Sequence, residues 1–147
     1  MRMTPLVLTL LIGTALAAVG VMAVVPTPGA APAPPATERH AIAPLSPTEL
    51  DAALASGTWL IMEFGGEHCI PCRAMQPILQ DLQAALGSKA KVHNFWIQEN
   101  PEVARRFKIM VMPTQVVFNA KGEEVLRHQG IFQADEFHAA LAKVGLF

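Results

Sequence analysis

Apolar residues recur along this chain in two spacings, which predict alternating strands and helices. Nearly continuous apolar runs indicate buried strands, and apolar residues three or four positions apart indicate one face of a helix. Four strands are predicted, at Trp59–Phe64, at Val92–Ile97, in the run from Pro113 to Phe118, and at Glu124–His128. Four helices are predicted. The first runs from a capping-box pattern at Ser46 and Glu49 to Gly57, and the second from Cys69 to Gly87. The third is capped by Asn100-Pro101 and runs through Phe107, and the fourth covers Ala134–Val144.

The first 45 residues have a different pattern. Residues 5–25 carry no charge and are long enough to span a bilayer as a helix. The same stretch also fits a signal peptide, because Ala15–Ala17 and Val21–Ala23 resemble cleavage sites. We therefore assign residues 1–25 to a signal anchor or signal peptide, residues 26–45 to an extended Pro/Ala-rich linker, and residues 46–147 to one folded domain. With Arg2 on the cytoplasmic side, either outcome places that domain outside the cytoplasm.

The second predicted helix begins at the only two cysteines of the chain, Cys69 and Cys72. Its apolar stripe consists of Met75, Leu79, Leu82 and Leu86. Unpaired N–H groups and the helix dipole at a helix N-terminus favour a thiolate over a thiol. Because the thiolate is the attacking species, Cys69 is predicted to be the nucleophile and Cys72 its resolving partner in thiol-disulfide exchange.

The cysteine pair has two other interpretations, a zinc site and a structural disulfide. A zinc site needs four ligands, and His68 and His93, which would have to complete it, lie at no usual ligand spacing. A purely structural disulfide between Cys69 and Cys72 closes so small a loop that it restricts the unfolded chain little. Redox chemistry is therefore favoured.

Two titratable residues lie close to the cysteines in sequence. Glu63 is the one charged residue of the first strand, so we expect it to be buried, with a raised pKa, and to exchange a proton with a nearby thiol. The alternative is that Glu63 points outward at the strand end. His68 is expected to be exposed beside Cys69, where it either stabilises the thiolate when protonated or simply faces solvent.

The charge balance narrows the choice of partners. The formal net charge is −1, and no basic stripe is present, so a nucleic-acid partner is not expected. We also predict no cofactor and no resident metal.

From Trp59 to Phe147 the order of elements resembles that of the thioredoxin family. The segment Phe64–Arg73 is similar to the family's active-site segment, and Met112-Pro113-Thr114 is similar to the loop in which the family carries a cis-proline facing the dithiol. The resemblance implies a thioredoxin-like α/β fold with a central mixed sheet flanked by helices. It also implies catalytic roles for Cys69, Cys72 and Glu63. The sequence departs from the family's usual pattern at His68, at the Ile70-Pro71 dipeptide, and at Asn94, which stands where many members have a lysine.

The resemblance further implies an extracytoplasmic thiol-disulfide oxidoreductase, tethered or secreted, that reduces protein disulfides. Met112, Pro113, Thr114 and His68 would contact the substrate. A membrane thiol-transport protein would supply electrons, and cytochrome c maturation or disulfide repair would be the process served. The alternatives are a disulfide-forming oxidase and a metal-delivery or adaptor module on the same fold, with Met112 or His68 as an added metal ligand. The sequence alone does not decide the isomer of the Met112–Pro113 bond.

Overall fold

The computed structural model describes residues 42–147, so the anchor and signal-peptide assignment and most of the linker assignment lie outside the described residues. The described part contains four helices and four strands: α1 (Pro47–Leu54), β1 (Trp59–Gly65), α2 (Ile70–Leu86), β2 (Ala90–Trp96), α3 (Pro101–Arg106), β3 (Thr114–Phe118), β4 (Glu124–Gln129) and α4 (Ala134–Lys143). Every strand and helix predicted from the periodicity is present, with ends shifted by a few residues.

The strands form one mixed sheet in the order β2-β1-β3-β4. β1 runs parallel to β2 and antiparallel to β3, and β4 runs antiparallel to β3. The predicted α/β fold with a central mixed sheet is confirmed. Because β1 is hydrogen-bonded on both edges, a residue on β1, such as Glu63, has a neighbouring strand residue on each side.

Each face of the sheet is covered by two helices. Side chains alternate between the two faces of a strand, so odd-numbered residues of β1 point to one core and even-numbered residues to the other. The first core combines β1 and β2 with the stripes of α2 and α4, and includes Ile61, Met75, Leu79, Val92, Phe137 and Leu141. The second core combines the other face with α1 and α3, and includes Leu50, Leu60, Met62, Phe64, Phe95 and Val103.

Residues 42–45, which the sequence analysis placed at the end of the linker, pair with the free edge of β2. Pro44 forms a parallel bridge with Asn94. The N–H of Leu45 donates to the Asn94 carbonyl at 2.8 Å, and the N–H of Asn94 donates to the Ala43 carbonyl at 3.3 Å. The described chain therefore enters the sheet before α1 begins, and this short segment covers part of the β2 edge.

Helix starts agree with the sequence analysis in one case and differ in another. Ser46 caps α1 through the predicted capping box with Glu49. Asn100 makes no side-chain hydrogen bond at the start of α3, and its side-chain N–H donates to the Trp96 carbonyl at 3.1 Å. The expected Asn100 cap is therefore wrong, because the amide is taken by the end of β2.

Among residues 42–147, no helix has the length and apolar character that a membrane crossing requires.

Candidate active site

The two cysteines lie at the junction between β1 and α2. The chain leaves β1 at Gly65, turns through residues 66–68, and starts α2 at Ile70, with Cys69 as the residue that caps the helix. The Cys69 Sγ accepts a hydrogen bond from the Cys72 N–H at 3.3 Å, so a free N–H of the first helical turn points at that sulfur. The predicted position of Cys69 at the helix N-terminus is confirmed.

Cys69 and Cys72 are joined by a disulfide and differ in burial. Cys69 is half-buried, whereas Cys72 is 1% exposed and packs in the core. A Cβ added at Gly65 would lie 2.8 Å from the Cys72 Sγ, so only glycine leaves room for this sulfur at the end of β1. An external thiol or disulfide therefore reaches Cys69 first.

Glu63 is fully buried and faces the same side of the sheet as Gly65. Its Oε1 and the Cys72 Sγ both lie within 4 Å of the same point, the Cβ position at Gly65. Burial raises the pKa of Glu63 to about 8, and the nearby amide of Gln115 limits that rise. The approach of Gln115 falls short of hydrogen-bond geometry, since neither carboxyl oxygen of Glu63 has a hydrogen-bond partner among the described residues. The predicted burial and raised pKa are confirmed, while proton transfer to Cys72 stays a prediction.

A row of polar side chains crosses the sheet at the level of Glu63. In the strand register, Asn94 of β2 lies opposite Glu63 on one side and Gln115 of β3 on the other. Asn94 is 1% exposed and exchanges two hydrogen bonds with Gln76 of α2, one in each direction, at 3.2 Å and 3.1 Å. The Asn94 amide thus has hydrogen-bond partners, and the Glu63 carboxyl has none among the described residues. The free-energy cost of burying a polar group without a partner therefore falls on Glu63.

Met112 and Pro113 precede β3 and are joined by a cis peptide bond. Since Thr114 pairs with Phe64 near the end of β1, the Met112–Pro113 loop lies at the same end of the sheet as the disulfide. Thr114 is fully buried and its hydroxyl donates to the Val111 carbonyl at 2.8 Å, which holds the loop in place. Substrate contact by Met112, Pro113 and Thr114 stays a prediction, and Thr114 would contribute to it through the loop that it holds.

Exposed apolar side chains gather around this end of the sheet. Ile70 is 73% exposed beside Cys69, and Met110 is 82% exposed ahead of the cis-proline. Ile131 is 43% exposed in the loop that the Gly130 N–H ties to the Pro113 carbonyl at 2.7 Å. We call Ile70, Met110, Val111 and Ile131 the apolar rim, and it offers a surface on which a polypeptide can dock.

His68 is exposed, as expected, and its effect on the Cys69 thiolate stays a prediction. Within the part of the chain that the structure describes, no three His, Cys, Asp or Glu side chains group together in a way that would hold a metal ion. The described cysteines are bonded to each other.

Sequence reasoning missed two residues of the site, Gln76 and Gln115. Gln76 lies four residues after Cys72 on a helix, a spacing that puts both on one face. Gln115 is a polar residue in an otherwise apolar run, the same signal that drew attention to Glu63. The sequence therefore contained a signal for each residue, the helical spacing for Gln76 and the polar position in an apolar strand for Gln115. It did not show which residues they contact.

A family model described as Thioredoxin matches residues 41–143. A thioredoxin of Rickettsia bellii is 34% identical over 83 residues, which make up 56% of this chain and 78% of that protein. A thioredoxin of Staphylococcus aureus is 32% identical over 78 residues, 53% of this chain and 74% of that protein.

Solved structures of thioredoxins are also similar. The structure of chloroplastic thioredoxin z superposes with a TM-score of 0.64 at 24% identity, covering 71% of this chain and 95% of that one. Mitochondrial thioredoxin 3 from Saccharomyces cerevisiae, in its oxidized form, gives a TM-score of 0.61 at 23% identity, covering 69% of this chain and 94% of that one. At such identities the likeness bears on the fold alone.

The difference in burial predicts unequal thiol reactivity after reduction. We expect iodoacetamide at neutral pH to modify Cys69 at least ~10-fold faster than Cys72, because Cys69 is accessible and caps the helix. The pH dependence of the Cys69 rate should have its midpoint below the usual thiol value of about 8.5. Mass mapping of the alkylated peptides measures both quantities, with denatured protein as the control in which the two rates converge. Equal rates in the folded protein would contradict the assignment.

The buried carboxyl predicts a pH-dependent stability of the oxidised protein. Folded Glu63 keeps its proton up to about pH 8, whereas in the unfolded chain the group ionises near 4.5. The folded state therefore binds more protons between these values, and the free energy of unfolding should fall as pH rises from about 4.5 to 8 and then level off. Glu63→Gln should remove this loss, which we expect to be on the order of a few kcal/mol.

Urea unfolding at fixed pH values from 5 to 9 measures this slope. The matched control is Glu67→Gln, an exposed carboxyl in the neighbouring loop, which should leave the slope of the parent protein unchanged. If the parent protein and Glu63→Gln lose stability in parallel, Glu63 is not protonated in the folded protein.

Proposed function

The chain belongs to the thioredoxin family and is a thiol-disulfide oxidoreductase acting on protein disulfides through Cys69 and Cys72, and from this premise we propose that it works as a reductant outside the cytoplasm. The observation that carries the proposal is the arrangement at the start of α2, where an accessible cysteine caps the helix and its buried partner lies beside an uncompensated carboxyl.

The reaction cycle follows from the unequal burial of the two cysteines. The Cys69 thiolate attacks one sulfur of a substrate disulfide, the substrate S–S bond breaks, and a mixed disulfide forms while the first substrate sulfur leaves. In the fraction of molecules in which Glu63 is ionised, a fraction that grows as pH approaches 8, the Glu63 carboxylate takes the proton of Cys72, and the Cys72 thiolate attacks the Cys69 Sγ. The second substrate sulfur then leaves and takes a proton from solvent, so the dithiol is oxidised by two electrons and the substrate disulfide is reduced by two.

Substrate docking is assigned to the apolar rim and the cis-proline loop. An unfolded or partly folded client presents an extended segment with apolar side chains next to its disulfide, and such a segment matches the exposed Ile70, Met110 and Ile131. The loop at Met112–Pro113 precedes β3 and offers backbone groups to an extended chain. Docking there brings the substrate disulfide toward Cys69, the half-buried sulfur.

The reducing direction is supported by the charges near the sulfurs. A dithiol becomes a strong oxidant when its reduced, ionised form is unusually stabilised. Here the hydrogen bond to the Cys69 Sγ comes from one backbone N–H, and Ile70 and Pro71 add no polar side chain. The buried environment that Cys72 shares with Glu63 disfavours a thiolate there, and an ionised Glu63 opposes a second negative charge.

The redox potential of the domain tests this direction. We expect a midpoint nearer the roughly −270 mV of thioredoxin than the approximately −120 mV of a strong disulfide-forming oxidase. Equilibration with dithiothreitol and glutathione buffers, followed by alkylation and a gel shift, measures it. Glu63→Gln is the informative variant above pH 8, where Glu63 of the parent protein is ionised, because removing the opposing charge should move the potential there to a more positive value. A midpoint potential more positive than about −180 mV would contradict the proposed reductant and support the alternative, a disulfide-forming oxidase.

The proposed location is supported by the N-terminal sequence. Residues 5–25 carry no charge and follow Arg2, and residues 26–45 are rich in Pro and Ala. On the outer side of the membrane there is no cytosolic reductant, so a membrane thiol-transport protein is the proposed electron donor. Cytochrome c maturation and disulfide repair are the two processes that such a reductant would serve.

Fractionation of the native protein tests the location. We expect the full chain to be protected from protease in intact cells whose outer layer has not been opened, and to stay with membranes on alkaline carbonate extraction. N-terminal sequencing separates an anchor from a signal peptide, since cleavage after Ala17 or Ala23 would yield a released domain. The control is a chain without residues 1–25, which should remain in the cytoplasm. Recovery of the full-length chain in the cytoplasmic fraction would contradict the proposal.

A further inference from the structure

A cavity of about 230 Å³ opens beside the buried cysteine, Cys72. No step of the proposed catalytic cycle described above involves this cavity. Its walls include Cys72, Gln76, Asn94, Trp96 and Ile42. Neither Cys69 nor the loop 110–114 is among the described residues that line it. The cavity is thus separate from the surface assigned to substrate docking, yet it touches the resolving sulfur.

The polar wall of this cavity is the amide pair of Gln76 and Asn94. The Asn94 side-chain N–H groups donate to the Gln76 Oε1 at 3.1 Å and to the Ile42 carbonyl at 2.7 Å, and the Asn94 Oδ1 accepts from the Gln76 Nε2 at 3.2 Å. Buried amides are costly unless they are paired, and this one is fully paired. The pair therefore keeps two polar side chains next to Cys72 without needing any water to satisfy Asn94.

Glu63 is not among the residues that line the cavity, but it lies close to Cys72, which is. It is opposite Asn94 in the register of β1 and β2, and its Oε1 and the Cys72 Sγ both lie within 4 Å of the Cβ position at Gly65. The other side chains of this core are mostly apolar, including Ile61 and Met75. A proton taken up by Glu63 in one turnover must leave before the next, and the cavity is a polar, solvent-connected space that touches Cys72.

We propose that Gln76 and Asn94 are positioning residues that form the polar wall of a proton-exchange cavity, through which water reaches Cys72 and Glu63 during thiol-disulfide exchange. This inference rests on the proposed cycle, in which Glu63 accepts the Cys72 proton. The Cys72 S–H bond breaks and a Glu63 O–H bond forms. The Glu63 proton then passes to water in the cavity, which restores the carboxylate for the next turnover.

Other charged groups around Glu63 lie at the margins of this space. Glu67 and Arg73 line the cavity and are exposed, and His128 of β4 follows Gln115 in the register. His128 stacks on Phe132 with ring centroids 3.9 Å apart, which turns it toward the α4 side of the core. Glu67, Arg73 and His128 are unchanged in the variants at Gln76 and Gln83 used for the test. Their contribution to the pH profile is therefore the same in the parent protein and in each variant.

The helix provides a matched control for Gln76 in Gln83. Both glutamines lie on α2 and both hydrogen-bond to β2, because Gln83 accepts from the Val92 N–H at 2.9 Å. Gln83 is not among the cavity-lining residues. Loss of either side chain removes a tie between α2 and β2, and only the loss of Gln76 removes the polar wall beside Cys72.

The test compares Gln76→Leu, Gln76→Ser and Gln83→Leu under single turnover. The reduced protein is mixed with a synthetic peptide that contains one intramolecular disulfide, and samples are acid-quenched between pH 5.5 and 9.5. Mass spectrometry counts the mixed disulfide through Cys69 and the released dithiol peptide, so the attack by Cys69 and the resolution by Cys72 are measured separately.

Gln76→Leu is expected to slow resolution by Cys72 ~10-fold or more at pH 7 and to shift its pH profile upward, while attack by Cys69 is unchanged. Gln76→Ser breaks the amide pair but leaves a polar, more open cavity, so resolution should stay within ~3-fold of the parent protein. Gln83→Leu should resolve at the parent rate. If Gln76→Leu does not fold, Gln76→Met, which keeps the length without the amide, takes its place.

Two results would overturn the inference. Equal resolution rates and pH profiles for Gln76→Leu and Gln83→Leu would show that the polar wall of the cavity has no role in proton exchange. Equal slowing by Gln76→Leu and Gln76→Ser would show that the amide pair acts only as a tie between α2 and β2. If the parent protein itself fails to reduce the peptide, the proposed function fails instead, and this is known before any variant is compared.

Discussion

The packing of the apolar stripe of α2 against β1 and β2 is the constraint on which the site depends. Met75, Leu79 and Leu82 are fully buried, so the helix has one rotation about its axis that satisfies them all. That rotation turns Cys72, one turn before Met75, into the core, and leaves Cys69 at the cap and half-exposed. It also directs Gln76 toward β2, where its side-chain amide hydrogen-bonds to that of Asn94. Nucleophile, resolving thiol and cavity wall are therefore consequences of one packed face.

The same face contains a polar row in a place where apolar residues would stabilise the protein more. Asn94 and Gln76 offset their burial by pairing with each other. Glu63 has no such partner, and its carboxyl therefore remains protonated well above its usual range. An acid that changes charge near neutral pH is of little use to a core but suits a thiol that must give up and regain a proton. The unpartnered carboxyl thus lowers local stability, and the proposed cycle gives it a use in proton transfer.

The surroundings of the two sulfurs differ in the way that their tasks require. Cys69 is next to the largely exposed Ile70 of the apolar rim, at which the proposed function docks a second polypeptide. Cys72 borders a small, polar-walled cavity that has room for water. In the proposed cycle, separate approaches for substrate and for protons let a bulky client cover Cys69 while the resolving thiol still exchanges protons with solvent.

The sequence by itself determined the features that depend on neighbouring residues. The stripe of α2, the Cys69 cap, the capping box at Ser46 and the lone charge of Glu63 in an apolar strand were all readable, because helical and strand periodicity and end-capping act over a few residues. The element order then pointed to the fold. The cysteine pair and Glu63 could thus be named in advance.

Only the tertiary structure decided the contacts between distant segments. Gln76 and Asn94 are 18 residues apart, and Asn94 and Ile42 are 52 apart, so their pairing depends on which strand lies at which edge and in what register. The cis isomer at Met112–Pro113 and the contact of the Asn100 side chain with the Trp96 carbonyl were likewise seen only in the structure. Register and strand order result from the burial of whole faces at once, and no local pattern contains them.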